Sequence, residues 1–189
     1  PDTVVDKTFR SLIETLEHTR RLLQIDAFET ITRILREARQ IDIYGSGNSA
    51  AVARDSQHKL RRLGLQATAY EDSHMQIISA TALQAEDVAV GVSQSGNSQC
   101  VVEAIRIAKS QGATTVALTS YGNSHLATDC DYCLLSAPES DSFPVVGMRS
   151  RIAQLAIIAA LHANLALGDM ERFIPQLRNM EREISRTKL

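Results

Sequence analysis

Apolar side chains recur along this chain in two textures. Between residues 3 and 25, Val4, Val5, Phe9, Leu12, Ile13, Leu16, Leu22 and Leu23 fall at helical spacings among charged neighbours, which predicts an amphipathic helix. A second helix is expected from an N-cap at Asp26 to about Gln40. The pattern then changes to short apolar runs at Ile41–Tyr44, Leu65–Tyr70, Val88–Val92, Thr114–Thr119 and Tyr132–Leu135. Several are apolar at consecutive positions, as strands covered on both faces are. Segments of helical length lie between them: Ser49–Leu63, Ser73–Leu83, Ser98–Gln111 and a shorter one from Ser124, with Gly64 and Gly112 placed to end helices. Helix returns at Met148–Leu167 and from Asp169 to about Arg186. This alternation predicts an α/β fold, a three-layer αβα sandwich on a five-stranded parallel sheet with extra helices at both ends. The expected division is a helical lead over 1–40, a ligand-binding domain over 41–168 and a C-terminal helix over 169–189.

Composition changes this picture little. The chain has 189 residues, 44% hydrophobic and 22% charged, enough for one well-buried domain. Its formal charge is −2 with scattered Lys and Arg, so no basic face marks nucleic acid or an anionic membrane as a partner of this segment. Three cysteines, an odd number, and no signal-like start point to a reducing, cytoplasmic setting. The apolar stretch IAQLAIIAALHANLALG is interrupted by Gln154, His162 and Asn164 and reads as a buried helix rather than a membrane span. The chain starts at Pro1 rather than at a methionine, from which a further segment upstream is expected.

One small polar tripeptide carries the chemistry. Gly-Asn-Ser occurs in YGSGNS (Tyr44–Ser49), SQSGNS (Ser93–Ser98) and YGNS (Tyr121–Ser124), each just beyond the carboxyl end of a predicted strand where a helix begins. In open parallel sheets ligands bind at that edge, and a helix's first turn offers unpaired N–H groups and a positive dipole end. The third copy reads as a turn and helix cap. The second, with three serines directly after VAVGV, holds more hydroxyl than a cap requires and reads as a phosphate cradle. Gly45-x-Gly47-x-x-Ala50, with Glu71 and Asp72 after the next strand, also fits a dinucleotide fingerprint, but that reading gives SQSGNS no task. No GK[ST] sequence occurs, so the P-loop signature is absent.

With both loops placed, Gly47-Asn48-Ser49 and Ser93-Gln94-Ser95-Gly96-Asn97-Ser98 resemble the G-x-S turn and S-x-S-G-x-[ST] loop of the sugar isomerase (SIS) family. RDSQHKLRRLG, EDSHMQ, KSQGATTVALTS and SRIAQLAIIAAL look like the effector-binding half of RpiR-type transcriptional regulators. The resemblance spans roughly Ile41 to Leu167. It implies the SIS fold, a phosphate cradle from Ser93, Ser95, Ser98 and the Gln94 backbone with Gly96 and Asn97 in its loop, and sugar contacts from Asn48 and Ser49. The implied ligand is a phosphorylated sugar or sugar acid, with no cofactor and no metal. DNA would be bound only through a helix-turn-helix domain that precedes the SIS domain in such regulators and is not visible in this sequence. Ser98 stands where the family often has Thr, and Ser124-His125-Leu126-Ala127 where it often has Ser-Pro-Leu-Ala.

An aldose–ketose isomerase would need a base near the substrate carbons. Glu139, in APESDS, and His74, after the second strand, are the candidates, and Glu139 is equally a candidate ligand contact. Ile152 stands where amidotransferase-type members place a lysine, so binding without turnover is favoured over an isomerase. Cys130-x-x-Cys133 lacks a second pair and reads as packed thiols. The helix from Arg149 to Leu167 is apolar around most of its circumference and is expected to pack on the sheet and on a partner, which favours a homodimer or dimer of dimers.

Overall fold

The computed structural model describes residues 3–138 and 148–187. Two helices lead, α1 (Val4–Leu22) and α2 (Ile25–Glu37). Then follow β1 (Ile41–Gly45), α3 (Asn48–Arg62), β2 (Ala67–Tyr70), α4 (Ser73–Thr81), β3 (Val88–Val92), α5 (Gln99–Ser110), β4 (Thr114–Thr119), α6 (His125–Asp129) and β5 (Tyr132–Leu135). Two long helices close the chain, α7 (Met148–Gly168) and α8 (Met170–Arg186).

All strand pairs are parallel, in the order β2-β1-β3-β4-β5. Side chains alternate across the sheet as the two-residue period of a strand requires. Ile41, Ile43, Val88, Val90, Val92, Val116 and Leu118 face one core, which α2, α3 and α7 cover. Tyr44, Ala89 and Ala117 face the other, closed by Ala80 of α4, Val101 and Ile105 of α5 and Leu126 of α6. Both faces are dry, which is why the strands read as continuous apolar runs, and the αβα sandwich with extra helices is the architecture the pattern predicts.

Several boundaries differ from expectation. The first helix ends at Leu22, and the second starts at Ile25 after an N-cap at Gln24 that makes no side-chain cap bond, so Asp26 lies inside its first turn. Leu65 is not in a strand: its N–H bonds back to the Leu60 carbonyl at 3.2 Å in the turn that ends α3. It is apolar because that turn is buried, and burial alone does not distinguish a strand from a helix end.

α7 is long and apolar enough to cross a membrane by length and composition. Here its Ile157, Leu161 and Leu165 join the core under the sheet, while Ala156, Ala159, Ala160 and Ala163 are exposed. α1 docks on α7 through Arg149 Nη1 donating to Ser11 Oγ at 2.8 Å, and Ala137 N–H donates to Thr19 Oγ1 at 3.0 Å. Val5, Phe9 and Ile13 of α1 face outward.

One buried group sets a pH dependence. Asp42 on β1 is fully buried, accepts from Gln40 Nε2 at 2.9 Å and bonds Ser79 Oγ. Burial raises its pKa above the ordinary carboxylate value, outweighing these hydrogen bonds. The folded chain therefore keeps a proton that the unfolded chain has released, and stability falls as pH rises through that window. Asp42→Asn can still accept from Gln40 and can donate to Ser79. Denaturant unfolding of this variant is expected to lose less stability than the parent between about pH 4 and neutrality.

Candidate functional site

β1 and β3 are neighbours in the sheet, but the chain leaves them toward opposite faces: α3 packs with α7, and α5 packs with α4 and α6. Where successive connections diverge in this way, a crevice opens at the carboxyl ends of the strands. A cavity of about 190 Å³ lies there. Ser46, Asn48 and Ser49 line it from the β1–α3 loop, Ser93, Gln94, Ser95 and Ser98 from the β3–α5 loop, and Ser150, Arg151 and Gln154 from the start of α7.

The helix caps separate these loops from others at the same edge. α4 is capped by Asp72, which accepts from Met75 N–H, and α6 by Ser124, which accepts from Ala127 N–H. At Gly47 and Ser98, which begin α3 and α5, no side chain caps the first turn. Both helices thus direct a positive dipole end at the cavity without a side-chain cap. In α3 the Ser49 and Ala50 N–H groups donate to the Ser46 and Gly47 carbonyls at 3.1 and 3.2 Å, so it is chiefly α5 that keeps first-turn amides for another acceptor.

The β3–α5 loop is held in shape from within. Buried Ser93 accepts from Gly96 N–H through Oγ at 3.1 Å, and its Oγ lies 2.9 Å from Ser98 Oγ. The Gln94 carbonyl accepts from Ser120 N–H at 3.0 Å and Thr119 Oγ1 at 3.2 Å, tethering the loop to the end of β4. On the other side Cys100 Sγ sits 3.6 Å from Ser46 Oγ and links the two loops. Preset hydroxyls around a pocket lose little conformational entropy when they bind.

Six of the residues that the sequence marks, Asn48, Ser49, Ser93, Gln94, Ser95 and Ser98, meet in this one cavity. Gly47 and Gly96 enter through backbone, as the N-cap of α3 and the tight point of the serine loop. Asn97 lines an adjoining cavity with Tyr121, Asn123 and His125, and its Oδ1 accepts from His125 N–H at 3.4 Å. His74 lies apart, in a groove between α4 and α5 beside Ile77, Ile78 and Glu103. Glu139 lies outside the described residues.

Glu71 and Asp72, the acids of the dinucleotide fingerprint, are engaged elsewhere: Glu71 pairs with Arg54 at 3.1 Å and Asp72 caps α4. Burial pushes the Cys130 thiol up to about 12 and that of Cys133 to about 11, so both stay protonated at neutral pH, packed beside the core under α5.

Ser46, Ser150, Arg151 and Gln154 were not anticipated from the sequence. Among the described residues the cavity is lined by no carboxylate and no histidine, and Arg151 is its one cation. Hydroxyls, amides, helix first turns and a guanidinium are anion-binding groups.

Comparison with known proteins adds to this geometry. The sequence model of the SIS domain family matches residues 34–163. The uncharacterised HTH-type transcriptional regulator TTE0211 of Caldanaerobacter subterraneus subsp. tengcongensis is 36% identical over 186 residues, which cover 98% of this chain and 66% of that protein. The chain thus spans somewhat less than two thirds of the length of that regulator. The sugar isomerase domain of an RpiR transcription factor from Sphaerobacter thermophilus superposes with a TM-score of 0.86 at 28% identity, covering 96% of this chain and 99% of that one. The Vibrio vulnificus NanR protein complexed with ManNAc-6P superposes with a TM-score of 0.92 at 24% identity, covering 98% of this chain and 71% of that one.

Proposed function

This chain belongs to the SIS domain family, and from that premise we propose that it is the sensing part of a longer transcriptional regulator, binding a phosphorylated sugar or sugar acid without converting it. The observation that carries the reading is the convergence of two helix first turns without side-chain caps and seven hydroxyl- or amide-bearing side chains from their loops on one cavity. Such a site binds a phosphate dianion by neutral donors, while the lining described above offers no group to move a proton between adjacent sugar carbons. The similarity to an HTH-type regulator and to an RpiR sugar isomerase domain supports a sensing role over catalysis.

The outward apolar residues of α1 and the exposed alanines of α7 favour a second copy of the chain as partner, the arrangement a two-fold DNA site requires. A DNA-binding segment outside this sequence and a cytoplasmic setting complete the reading. Ligand would act by preferring one of two dimer geometries.

Thermal unfolding with a panel of phosphosugars at matched ionic strength tests the binding. A true ligand at about a hundred times its Kd contributes about 2.7 kcal/mol, a rise of roughly 5–10 °C for a chain of this size, whereas NAD gives none. A coupled isomerase assay on the same ligands is expected to show no turnover. Turnover that disappears in Glu139→Gln or His74→Gln would replace the sensor by an aldose–ketose isomerase.

A further inference from the structure

The cavity has two kinds of wall. The β1–α3 and β3–α5 loops supply hydroxyls and main-chain amides, which suffice for a phosphate. The start of α7 adds a guanidinium and a carboxamide that such a cradle does not need. Gln154 is 1% exposed, yet its Nε2 has no hydrogen-bond partner, and Arg151 Nε is buried without one as well. Arg151 is half-buried and pairs with no described carboxylate, although a guanidinium with a buried N–H is ordinarily matched by an anion. The two side chains lie three residues apart on one helix and so share a face, and both line the same cavity. Planar N–H donors side by side match a carboxylate, which accepts through two oxygens at once.

We infer that Arg151 and Gln154 form a second anion subsite and that the ligand is a phosphorylated sugar acid, its phosphate in the serine loop and its carboxylate on α7. This rests on the phosphosugar reading and narrows it: a neutral phosphosugar would leave the Arg151 charge and the Gln154 amide without an anionic partner. No bond is made or broken, and the subsite adds selectivity of the kind a buried donor imposes on analogues that lack its acceptor.

Two probes of equal carbon number separate the subsites, 6-phosphogluconate and glucitol 6-phosphate, which differ only in carboxylate against hydroxymethyl at C1. By titration calorimetry on the full chain at about pH 7.5, where the carboxylate is ionised, the acid is expected to bind at least about tenfold more tightly. Arg151→Met should remove that preference, leaving glucitol 6-phosphate within about threefold of its original affinity, and Gln154→Glu, of the same size but an acceptor, should weaken the acid alone by about tenfold or more. Ser93→Ala should weaken both probes together. Equal binding of the two probes by the unaltered chain, or an Arg151→Met chain weakened equally toward both, overturns the subsite and leaves phosphosugar binding in place. Failure of the unaltered chain to bind either probe, or binding that Ser93→Ala leaves untouched, overturns both.

Discussion

Ser98→Asp is expected to stabilise the chain while abolishing its ligand binding. Ser98 is the N-cap of α5, and its hydroxyl makes no cap bond; it faces Ser93 Oγ instead. An aspartate there can accept from the Ser93 hydroxyl and places a full negative charge at the positive end of a twelve-residue helix. Such a charge contributes about 0.3–1 kcal/mol, a rise of roughly 1–4 °C in Tm. The same carboxylate occupies the acceptor position that a phosphate would take. Two unit charges at about 4 Å repel by about 4 kcal/mol at an effective dielectric of 20, so affinity should fall by at least about a thousandfold. Calorimetry and thermal unfolding on one preparation read both effects. A variant that loses stability, or that still binds the phosphosugar within tenfold of the parent, would mean that α5 does not receive the phosphate. Opposite signs follow because a first turn left uncapped for a ligand is a turn less stable than it could be, the usual conflict between a binding site and the fold that carries it.

The sequence allows the αβα layering to be read because a sheet buried on both faces leaves apolar runs too short for helices and rich in β-branched residues, as Val88 to Val92 and Thr114 to Thr119 are. The serine loops are legible for a related reason. Their position after a strand and before a helix follows from local order alone, and the parallel sheet then forces both to one edge. What local order cannot supply is which distant element closes the crevice. Arg151 and Gln154 enter the cavity because α7 packs along α3 under the sheet, a contact across roughly a hundred residues. In the sequence they sit in a helix whose apolar content draws attention to its packing face. Gln154 was legible only as a polar interruption of that stretch, when its burial with an unpartnered amide is its distinguishing property. Helix ends were misplaced where the local signal competed with context: Asp26 is a good cap by type, but the chain turns two residues earlier, after Leu22 and Leu23.

Gly96→Ala should be the most disruptive single methyl group in the site. Gly96 has φ of +66°, a left-handed conformation that costs a residue with a Cβ about 1–2 kcal/mol. A Cβ there would also stand 1.9 Å from Ser124 Oγ and 2.9 Å from Thr119 Oγ1. Ser124 cannot simply turn away, because it caps α6 and donates to the Tyr121 carbonyl at 2.7 Å, and Gly96 O itself accepts from Leu126 N–H at 2.9 Å. The serine loop must therefore shift as a unit, taking Ser93, Ser95 and Ser98 out of register with the amides of α5. Strain and overpacking together are expected to lower stability by about 3 kcal/mol and affinity by about a hundredfold or more, as a 1 Å displacement of positioned groups does. Gly47→Ala is the control. That glycine has φ of +54° but nothing within 4 Å of its added Cβ, so it isolates the backbone cost. With ψ of −125° it is strained for any residue with a Cβ, so the variant should lose about 1–2 kcal/mol, with binding reduced far less than in Gly96→Ala. Equal losses of binding in the two variants would show that positive-φ backbone strain, and not the contact with Ser124, shapes the loop. Unchanged binding in Gly96→Ala would remove the β3–α5 loop from the site altogether.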